Sequence, residues 1–230
     1  MALNARLRAV ADFVCGGALV VDVGCDHAIL PIELVKENRV KKVIACDIGD
    51  GPLSSAKKNI EKAELSSVIE TRLSDGLKEI SPDEVDHIVI AGMGGDLISW
   101  ILSASPWVKD KKYSFIFQPM TSVEDLREYL CRNGFVIREE KPVYDAKRLY
   151  TVMLCGYEGG GYEGGGYEPT DDYRYIGEVK PDSVEGRDYF LRQIGRIERR
   201  LSSLEKAKGD HPETAKLTET LFKIKERLGE

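Results

Sequence analysis

Acidic side chains and glycines follow three apolar runs of the sequence, and they are the residues with the clearest chemical potential. Asp22 and Gly24 end the first run, Asp47 ends the second, and Asp75 and Gly76 follow the third. If the runs are parallel strands, their carboxyl ends lie at the edge of the sheet where open α/β sheets bind ligands. A carboxylate about 20 residues after a glycine turn can accept hydrogen bonds from both ribose hydroxyls. The spacing therefore predicts a nucleoside-binding crevice.

The first glycine turn differs from the fingerprint that binds dinucleotides. Gly-x-Gly-x-x-Gly has a second glycine for the pyrophosphate and a third for helix packing, whereas here Cys25 and Asp26 follow Gly24. Asp26 would place negative charge where a diphosphate has to lie, which argues against NAD and FAD. S-adenosylmethionine suits the turn better, because it carries a sulfonium and an ammonium group and no phosphate.

This ligand gives each residue of the crevice an expected role. Asp26 would lie near the ammonium group and Asp47 would bind the ribose hydroxyls. Asp75 would accept from the adenine amine, Leu77 would pack on the adenine, and the segment Gly92 to Gly95 would pass the sulfonium. The full set predicted to bind this cofactor is Asp22, Gly24, Cys25, Asp26, Asp47, Ile48, Asp75, Gly76, Leu77, Gly92, Met93 and Gly94.

The elements that must position these residues are those of a doubly wound α/β domain. Five apolar runs predict buried strands, each taken as the start of a strand-then-helix unit: 18–22, 43–46, 68–73, 86–91 and 113–117. Ser122 is expected to cap the helix that follows the fifth strand. Two further runs, 135–144 and 148–157, predict an antiparallel pair. The predicted fold class is α/β, Rossmann-like, with a mostly parallel sheet.

The leading segment, residues 2–15, has the spacing of an amphipathic helix. Arg6 and Arg8 lie on it. A solvated face is the preferred interpretation of these two arginines, with contact to a ligand or RNA as the alternative.

The C-terminal part of the chain has a different pattern. From Tyr157 to Pro169 a Tyr-Glu-Gly-Gly-Gly repeat is typical of a flexible linker; a ligand-binding glycine loop would need a strand-to-helix context. Two apolar heptad-like seams then predict an antiparallel helical hairpin turning at Gly209 to Pro212. The seams consist of Leu191, Ile194, Ile197, Leu201 and Leu204, and of Leu217, Leu221, Ile224 and Leu228.

The outer faces of this hairpin carry many basic residues. They are Arg192, Arg196, Arg199, Arg200, Lys206, Lys208, Lys216, Lys223 and Lys225. Interleaved acidic residues favour a solvated coiled coil, whereas the cluster at Arg196, Arg199 and Arg200 favours a stripe for phosphates. Both interpretations stay open.

Composition excludes several classes of protein. The formal net charge of −6 is not that of a generally basic nucleic-acid binder. No apolar run reaches the roughly 18 residues of a membrane span, and the first residues lack the pattern of a signal peptide. The five cysteines are scattered, with no zinc-type spacing and no disulfide framework. A reduced, cytoplasmic protein with no metal and no membrane contact is expected, and a monomer is favoured.

Several motifs together resemble one family, the bacterial tRNA adenine-N1 methyltransferases that modify adenine 22. They are the runs 21–31, 45–47, 74–77 and 91–95, and Gln118-Pro119. Asp-His-Ala and Gly-Met-Gly-Gly are the specific pieces; Cys25, Ile29 and Met120 depart from the usual residues. The resemblance covers nearly the whole chain. It implies a methyltransferase domain over 1–157, a Gly/Tyr-rich linker over 158–184 and a coiled-coil hairpin over 185–230.

The resemblance also implies a chemistry. Adenine N1 has an in-plane lone pair, so it needs no Asn/Asp-Pro-Pro-aromatic motif, and alignment of N1, methyl and sulfur would supply most of the catalysis. A carboxylate or amide oxygen could stabilise the cationic product base, and Asp26, His27 and Gln118 are the expected catalytic residues. The tRNA would present an extruded base, with its backbone held by the hairpin in a salt-sensitive way.

Two other functions compete with this one. A methyltransferase of the same fold could act on a protein or a small molecule, and its turnover would not depend on the hairpin. A non-catalytic protein could bind the cofactor, or nothing, and use the hairpin to dimerise. Turnover with tRNA separates the three.

Overall fold

The computed structural model describes residues 2–159, 168–207 and 211–230, and its centre is a seven-stranded sheet. The strands are β1 Ala18–Val23, β2 Val40–Asp47, β3 Ile69–Leu73, β4 His87–Met93, β5 Ser114–Pro119, β6 Phe135–Asp145 and β7 Arg148–Tyr157. Val20, Val21 and Val23 of β1 are all buried although they point to alternate faces. Burial on both faces is typical of parallel strands covered by helices.

The strands lie in the order β3-β2-β1-β4-β5-β7-β6. β1 to β5 are parallel to one another, and β7 runs antiparallel between β5 and β6. The chain order reverses between β1 and β4, so a crevice is expected at the carboxyl ends of these two strands. The predicted Rossmann-like α/β fold class and the antiparallel closing pair are confirmed.

Helices cover both faces of the sheet. In the described part of the chain they are α1 Ala5–Asp12, α2 Ile29–Lys36, α3 Asp50–Lys62, α4 Gly95–Ser103, α5 Val123–Arg132, α6 Asp171–Ile176, α7 Val184–Lys206 and α8 Glu213–Leu228. One core packs α4 and α5 on residues such as Phe115, and the other packs α1, α2 and α3 on residues such as Val20. Among the described helices, none combines the length and the apolarity that a membrane crossing requires.

Two predictions of local structure are wrong. The described residues 74–86 join β3 to β4 through turns and contain no helix, so four strand-then-helix units exist instead of five. Ser122 precedes α5, but its φ of +52° is left-handed and its hydroxyl caps nothing. The hydroxyl donates instead to Asp96 Oδ2 at 2.7 Å, which ties the start of α5 to the start of α4.

The C-terminal helices α7 and α8 pack together through a third core cluster, as predicted for the hairpin. Ile194, Ile197 and Ile224 are buried in it, whereas Leu191 is 48% exposed and does not belong to the seam. Leu191 is exposed because the first half of α7 turns Phe190 inward instead. Residues 160–167 of the glycine-rich repeat, and the turn residues Gly209 and Asp210, lie outside the described residues.

A buried ion pair fastens this C-terminal region to the sheet. Arg127 of α5 donates to Glu140 of β6, with Nη2 to Oε1 at 2.6 Å, and both side chains are fully buried. Its other donors reach the carbonyls of Arg174 and Tyr175, at 2.7 and 2.8 Å, and the hydroxyl of Tyr189 at 2.8 Å. Burial lowers the pKa of Arg127, but the Glu140 carboxylate raises it by more, so the net shift is upward and the guanidinium stays charged.

Helix α6 lies inside the range 158–184 that was predicted as linker. It packs against α5, α7 and α8, and its last residue, Ile176, is fully buried in the third core cluster. The ordered C-terminal region therefore begins before α7, and the domain limits at 157 and 184 stay predictions.

Most hairpin cations that were predicted to form a basic stripe have carboxylate partners. Arg200 lies 2.5 Å from Glu213, Lys216 lies 2.9 Å from Asp171, and Lys225 lies 2.7 Å from Glu198. Exposed pairs of this kind contribute about 0–1 kcal/mol each. They therefore cost little to break when a competing anion arrives.

Candidate functional site

A crevice of about 260 Å³ opens at the carboxyl ends of β1 and β4. The glycine turn after β1 forms one wall, and the end of β4 and helix α1 form others. The residues that line it are Arg6, Leu7, Asp22, Gly24, Cys25, Asp26, His27, Ile29, Leu30, Ala91 and Gly92. The predicted residues of the first strand end and Gly92 therefore meet at one site.

The turn after β1 leaves its backbone open to a ligand. Gly24 has a φ of +77°, and a Cβ at this position would lie 2.4 Å from Met93 Cε. The N–H groups of Gly24 and Cys25 donate to the carbonyl of Cys46, at 2.8 and 3.0 Å. Asp26 has a φ of +48°, which is unusual for a residue with a side chain. The turn is thus held against β2 in one conformation.

Burial sets the chemistry of Asp22, whose side chain lies at the base of the crevice. Burial and the nearby carboxylate of Asp47 raise the pKa of Asp22 to about 7. A carboxyl group with such a pKa can be neutral in the empty crevice, and a cationic ligand group would favour its charged form.

Cys25 and Cys46, the two cysteines near this carboxyl group, have low reactivity. Burial raises the pKa of Cys25, and it raises the pKa of Cys46 to about 12. Both thiols are therefore neutral and poor nucleophiles at physiological pH.

Asp47 is held by backbone donors at the end of β2. Its Oδ1 accepts the N–H of Gly49 at 3.0 Å, and its Oδ2 accepts the N–H of Asp26 at 3.4 Å. Both oxygens keep acceptor capacity, since an ionised carboxylate has about four lone-pair sites. Ile48 follows with a side chain that is 70% exposed and forms an apolar edge beside this carboxylate.

At the end of β3, the predicted residue Asp75 is partly exposed and the predicted residue Leu77 is buried. Asp75 lies at the surface with its carboxylate 2.5 Å from Lys78 Nζ. Gly76 has a φ of +63°, and its carbonyl accepts the Ser74 hydroxyl at 2.8 Å. Leu77 is 1% exposed and belongs to the main core. The predicted contacts of Asp75 and Leu77 with an adenine ring stay predictions.

The segment after β4 consists of glycines for two separate reasons. Gly92 has a φ of +85°, which a side chain would strain. Gly95 begins α4 and donates its N–H to the carbonyl of Thr121 at 2.9 Å. A Cβ on Gly95 would lie 2.2 Å from the carbonyl oxygen of Ser122, and one on Gly94 would lie 3.0 Å from Thr121 Oγ1. The segment therefore packs closely on the chain after β5.

Gln118 is fully buried, and the protein uses both ends of its amide. Its Oε1 accepts from the Arg6 guanidinium and from the N–H of Gly92, at 3.2 Å in the second case. Its Nε2 donates to the carbonyl of Pro119 at 2.8 Å. Both lone pairs of the oxygen are occupied. The predicted catalytic role of Gln118 stays a prediction.

Asp26 and His27 lie on the crevice wall and are open to solvent. The Asp26 and His27 side chains are 71% and 51% exposed, and His27 Nε2 lies 3.6 Å from Asp26 Oδ1. The His27 carbonyl accepts from Asn59 at 3.0 Å, which fixes the backbone and leaves the ring outward. Their predicted catalytic roles remain predictions.

Arg6 is a crevice residue that the sequence interpretation assigned to a solvated face. Its side chain is only 18% exposed, and its guanidinium reaches Gln118. The sequence does contain a pattern that indicates burial of Arg6, because Arg6 lies three residues after Leu3 and four before Val10. That spacing puts it on the apolar face of α1.

Comparisons of the sequence and of the structure with known proteins both find methyltransferases. A family model described as "Methyltransferase domain" matches residues 3–153. The tRNA (adenine(22)-N(1))-methyltransferase of Bacillus subtilis is 39% identical over 155 residues, which are 66% of this chain and 64% of that protein. The match thus spans less than two thirds of that curated relative.

Solved structures extend the similarity over the whole chain. Sp1610 of Streptococcus pneumoniae, a candidate tRNA (m1A22) methyltransferase, has 32% sequence identity and a TM-score of 0.83, and the match covers 99% of this chain and 100% of that one. The same protein in complex with S-adenosyl-L-methionine has a TM-score of 0.78 and 32% identity, covering 97% and 98% of the two chains.

Proposed function

Because this chain belongs to the tRNA (adenine(22)-N(1))-methyltransferase family, we propose that it methylates N1 of an adenine in tRNA with S-adenosyl-L-methionine as methyl donor. The observation that carries the proposal is the crevice itself, in which a glycine turn and a buried carboxyl group meet beside the backbone-held carboxylate of Asp47. We also propose a cytoplasmic location, because the proposed substrate is tRNA.

The residues at the crevice suit the proposed cofactor. Asp47 has acceptor capacity for two ribose hydroxyls, and Asp22 can balance an ammonium group. Gly24 has no side chain, so a ligand can approach the backbone at this turn. A Cβ there would lie 2.4 Å from Met93 Cε. When bound, the cofactor supplies a methyl group made electrophilic by the sulfonium.

The contribution of the chain to catalysis is positioning. Gln118, Arg6 and Gly92 hold one another at the end of β4, so the wall beside the proposed methyl position is fixed before any ligand arrives. Alignment of reactants in such a wall can supply most of the rate acceleration for a nucleophile that already has a free lone pair. Asp26 is the carboxylate left exposed on the wall, and we propose it as the group that stabilises the cationic product.

The tRNA contact of the hairpin is supported by its weak ion pairs. Arg200, Lys216 and Lys225 face single carboxylates on an exposed surface. Phosphates could displace these partners, and such binding would weaken steeply as salt rises. We propose one protein molecule per tRNA.

Incubation with unmodified tRNA and methyl-labelled S-adenosylmethionine is expected to yield N1-methyladenosine after nuclease digestion. Asp47→Ala is expected to weaken binding of S-adenosylhomocysteine about 10- to 100-fold, because two hydrogen bonds to a charged acceptor are lost. Asp83→Ala, which removes a 97% exposed carboxylate, is the matched control and should bind normally.

Three other outcomes would contradict parts of this proposal. Cofactor binding without transfer to any tRNA points to another acceptor, such as a protein or a small molecule. Full activity after the hairpin cations are neutralised removes the hairpin from tRNA binding. Failure to bind S-adenosylhomocysteine at all would favour the alternative function, a non-catalytic protein that uses the hairpin to dimerise.

Asp22→Asn is expected to raise thermal stability at pH 8 and to raise it clearly less at pH 5. The pKa of Asp22 is about 7 in the folded protein and near 3.9 when unfolded. The folded state therefore keeps its proton between these values, and wild-type stability falls as pH rises from about 4 to about 7, by a few kcal/mol in total. The measurement is the melting temperature of both proteins at the two pH values.

The same Asp22→Asn protein should bind S-adenosylhomocysteine more weakly at pH 8, since the neutral amide cannot balance an ammonium group. A stabilised variant with reduced affinity marks a residue kept for binding. Equal stability gains at both pH values would contradict the raised pKa.

A further inference from the structure

The turn between β6 and β7 projects past the edge of the sheet at which the crevice opens. The ladder between β5 and β7 ends where Phe117 pairs with Met153, and β5 itself ends at Pro119. The ladder between β6 and β7 continues beyond this point, up to the pair of Asp145 with Arg148. The crevice lies at the carboxyl edge of the parallel strands, so the β6–β7 tip, residues 145–148, extends beyond that edge.

Contacts on two sides hold the β6–β7 tip in place. Asp145 Oδ2 lies 3.8 Å from Nε of Arg6, which lines the crevice. Tyr144 donates its hydroxyl to Asp188 of α7 at 2.6 Å, and the guanidinium of Arg192 lies 5.5 Å from the centre of the Tyr144 ring. The tip is therefore fixed between the crevice wall and α7.

The β6–β7 tip carries two cations, Lys147 and Arg148, and both are exposed. Within the described part of the chain, neither of them forms an ion pair with a carboxylate. The carboxylate of Asp145 is close in sequence, but it faces Arg6. Arg200 and Lys216 of the helical hairpin, in contrast, each have an acidic partner. An anion that binds at the tip therefore displaces no carboxylate.

The charge of the tip is opposite to that of the other side of the crevice. Asp26 exposes 71% of its side chain on the wall formed by the turn after β1. A nucleotide that enters the crevice brings its phosphates to the rim, where Asp26 repels them and the tip attracts them. Contacts to phosphates position a nucleic acid without reading its sequence, and an arginine can bind one phosphate through two parallel hydrogen bonds.

We infer that Lys147 and Arg148 form a binding site for the RNA backbone, at a phosphate next to the nucleotide whose base enters the crevice. The inference rests on the proposed function. It adds to the helical hairpin a second RNA contact, which lies on the methyltransferase domain itself. The partner is recognised by its phosphates, so this contact serves any tRNA that presents its target base at the crevice.

Lys147→Gln combined with Arg148→Gln tests the inference. This tip variant is expected to lower kcat/KM for tRNA roughly 10-fold in about 0.1 M salt, because two contacts to a polyanion are lost. The slope of log kcat/KM against log salt concentration should become shallower by about 1–2. Calorimetric binding of S-adenosylhomocysteine and the melting temperature should equal those of the wild type.

Lys41→Gln combined with Lys109→Gln is the matched control. Lys41 lies at the start of β2 and Lys109 lies before β5, so both are exposed at the opposite edge of the sheet. The control loses the same total charge as the tip variant. It should keep the kcat/KM and the salt slope of the wild type.

The position of the contact is tested with tRNA that carries an uncharged methylphosphonate at one phosphate beside the target adenine, on its 5′ or its 3′ side. One of these two tRNAs should lower kcat/KM of the wild type. The tip variant should lose less with that tRNA than the wild type does, because part of the contact is already absent. Equal losses for the wild type and the tip variant with both tRNAs would contradict the assigned position.

A tip variant with the kcat/KM and the salt slope of the wild type would overturn the inference. Equal losses in the tip variant and the control would also overturn it, since net charge would then be the cause. Weaker binding of S-adenosylhomocysteine by the tip variant would show that the tip acts on the crevice and not on RNA. If the wild type methylates an acidic protein and no tRNA, the proposed function fails first, whereas failure of the inference alone leaves wild-type methylation of tRNA intact.

Discussion

Replacement of Arg127 by methionine is expected to lower the free energy of unfolding by about 3–5 kcal/mol, the range for a buried charge that loses its partner. Glu140 would remain fully buried without its cation, and the carbonyls of Arg174 and Tyr175 would lose their donor. Urea denaturation of the full chain measures the change. Because Arg127 joins α5 to α6 and α7, methylation of tRNA should fall more than cofactor binding does.

The second variant in this experiment removes both charges. Arg127→Met combined with Glu140→Leu should be more stable than Arg127→Met alone, because no charge is left buried. If the single and the double variant unfold at the same urea concentration, the stability of this junction comes from packing around Ile176 and Phe190 and not from the ion pair.

Gly24→Ala is expected to weaken binding of S-adenosylhomocysteine about 10-fold or more, because the ligand is proposed to lie against the backbone of this turn. The φ of +77° is costly for alanine, by about 1–2 kcal/mol. The new methyl group would also lie 2.4 Å from Met93 Cε, so either the turn or Met93 has to move. Calorimetric titration of both proteins measures the effect.

Gly16→Ala is the control for this substitution. Its φ lies outside the left-handed region, and nothing lies within 4 Å of an added Cβ. The control should bind like the wild type. If Gly24→Ala also binds like the wild type, the ligand does not approach the backbone at this turn.

The sheet could be predicted from sequence because its inner strands are continuous apolar runs. β1 and β4 are buried on both faces, and such runs between glycine turns are typical of buried parallel strands. The acidic strand ends could be predicted for the same reason, since the end of each run fixes where Asp22 and Asp47 must lie. Predicting where these strands end therefore also predicted where the site lies.

The errors concern residues whose environment is set by distant parts of the chain. Leu191 lies three residues before Ile194, but Phe190, seven residues before Ile197, is the side chain that α7 buries. Ser122 is a good cap by type, yet Asp96 from another helix takes its hydroxyl. The partner of Arg6 is 112 residues away. Local spacing has no access to such partners.

The place of β7 in the sheet has a consequence for the order in which the chain is made. β7 is the last strand in sequence, yet it lies inside the sheet, with β5 on one side and β6 on the other. A nascent chain that ends before Arg148 leaves β5 with an open edge and gives β6 no neighbour. Open edges of this kind promote aggregation. The methyltransferase sheet can therefore close only after Tyr157 has left the ribosome. A truncation before Arg148 removes an inner strand of the domain and not an appendage.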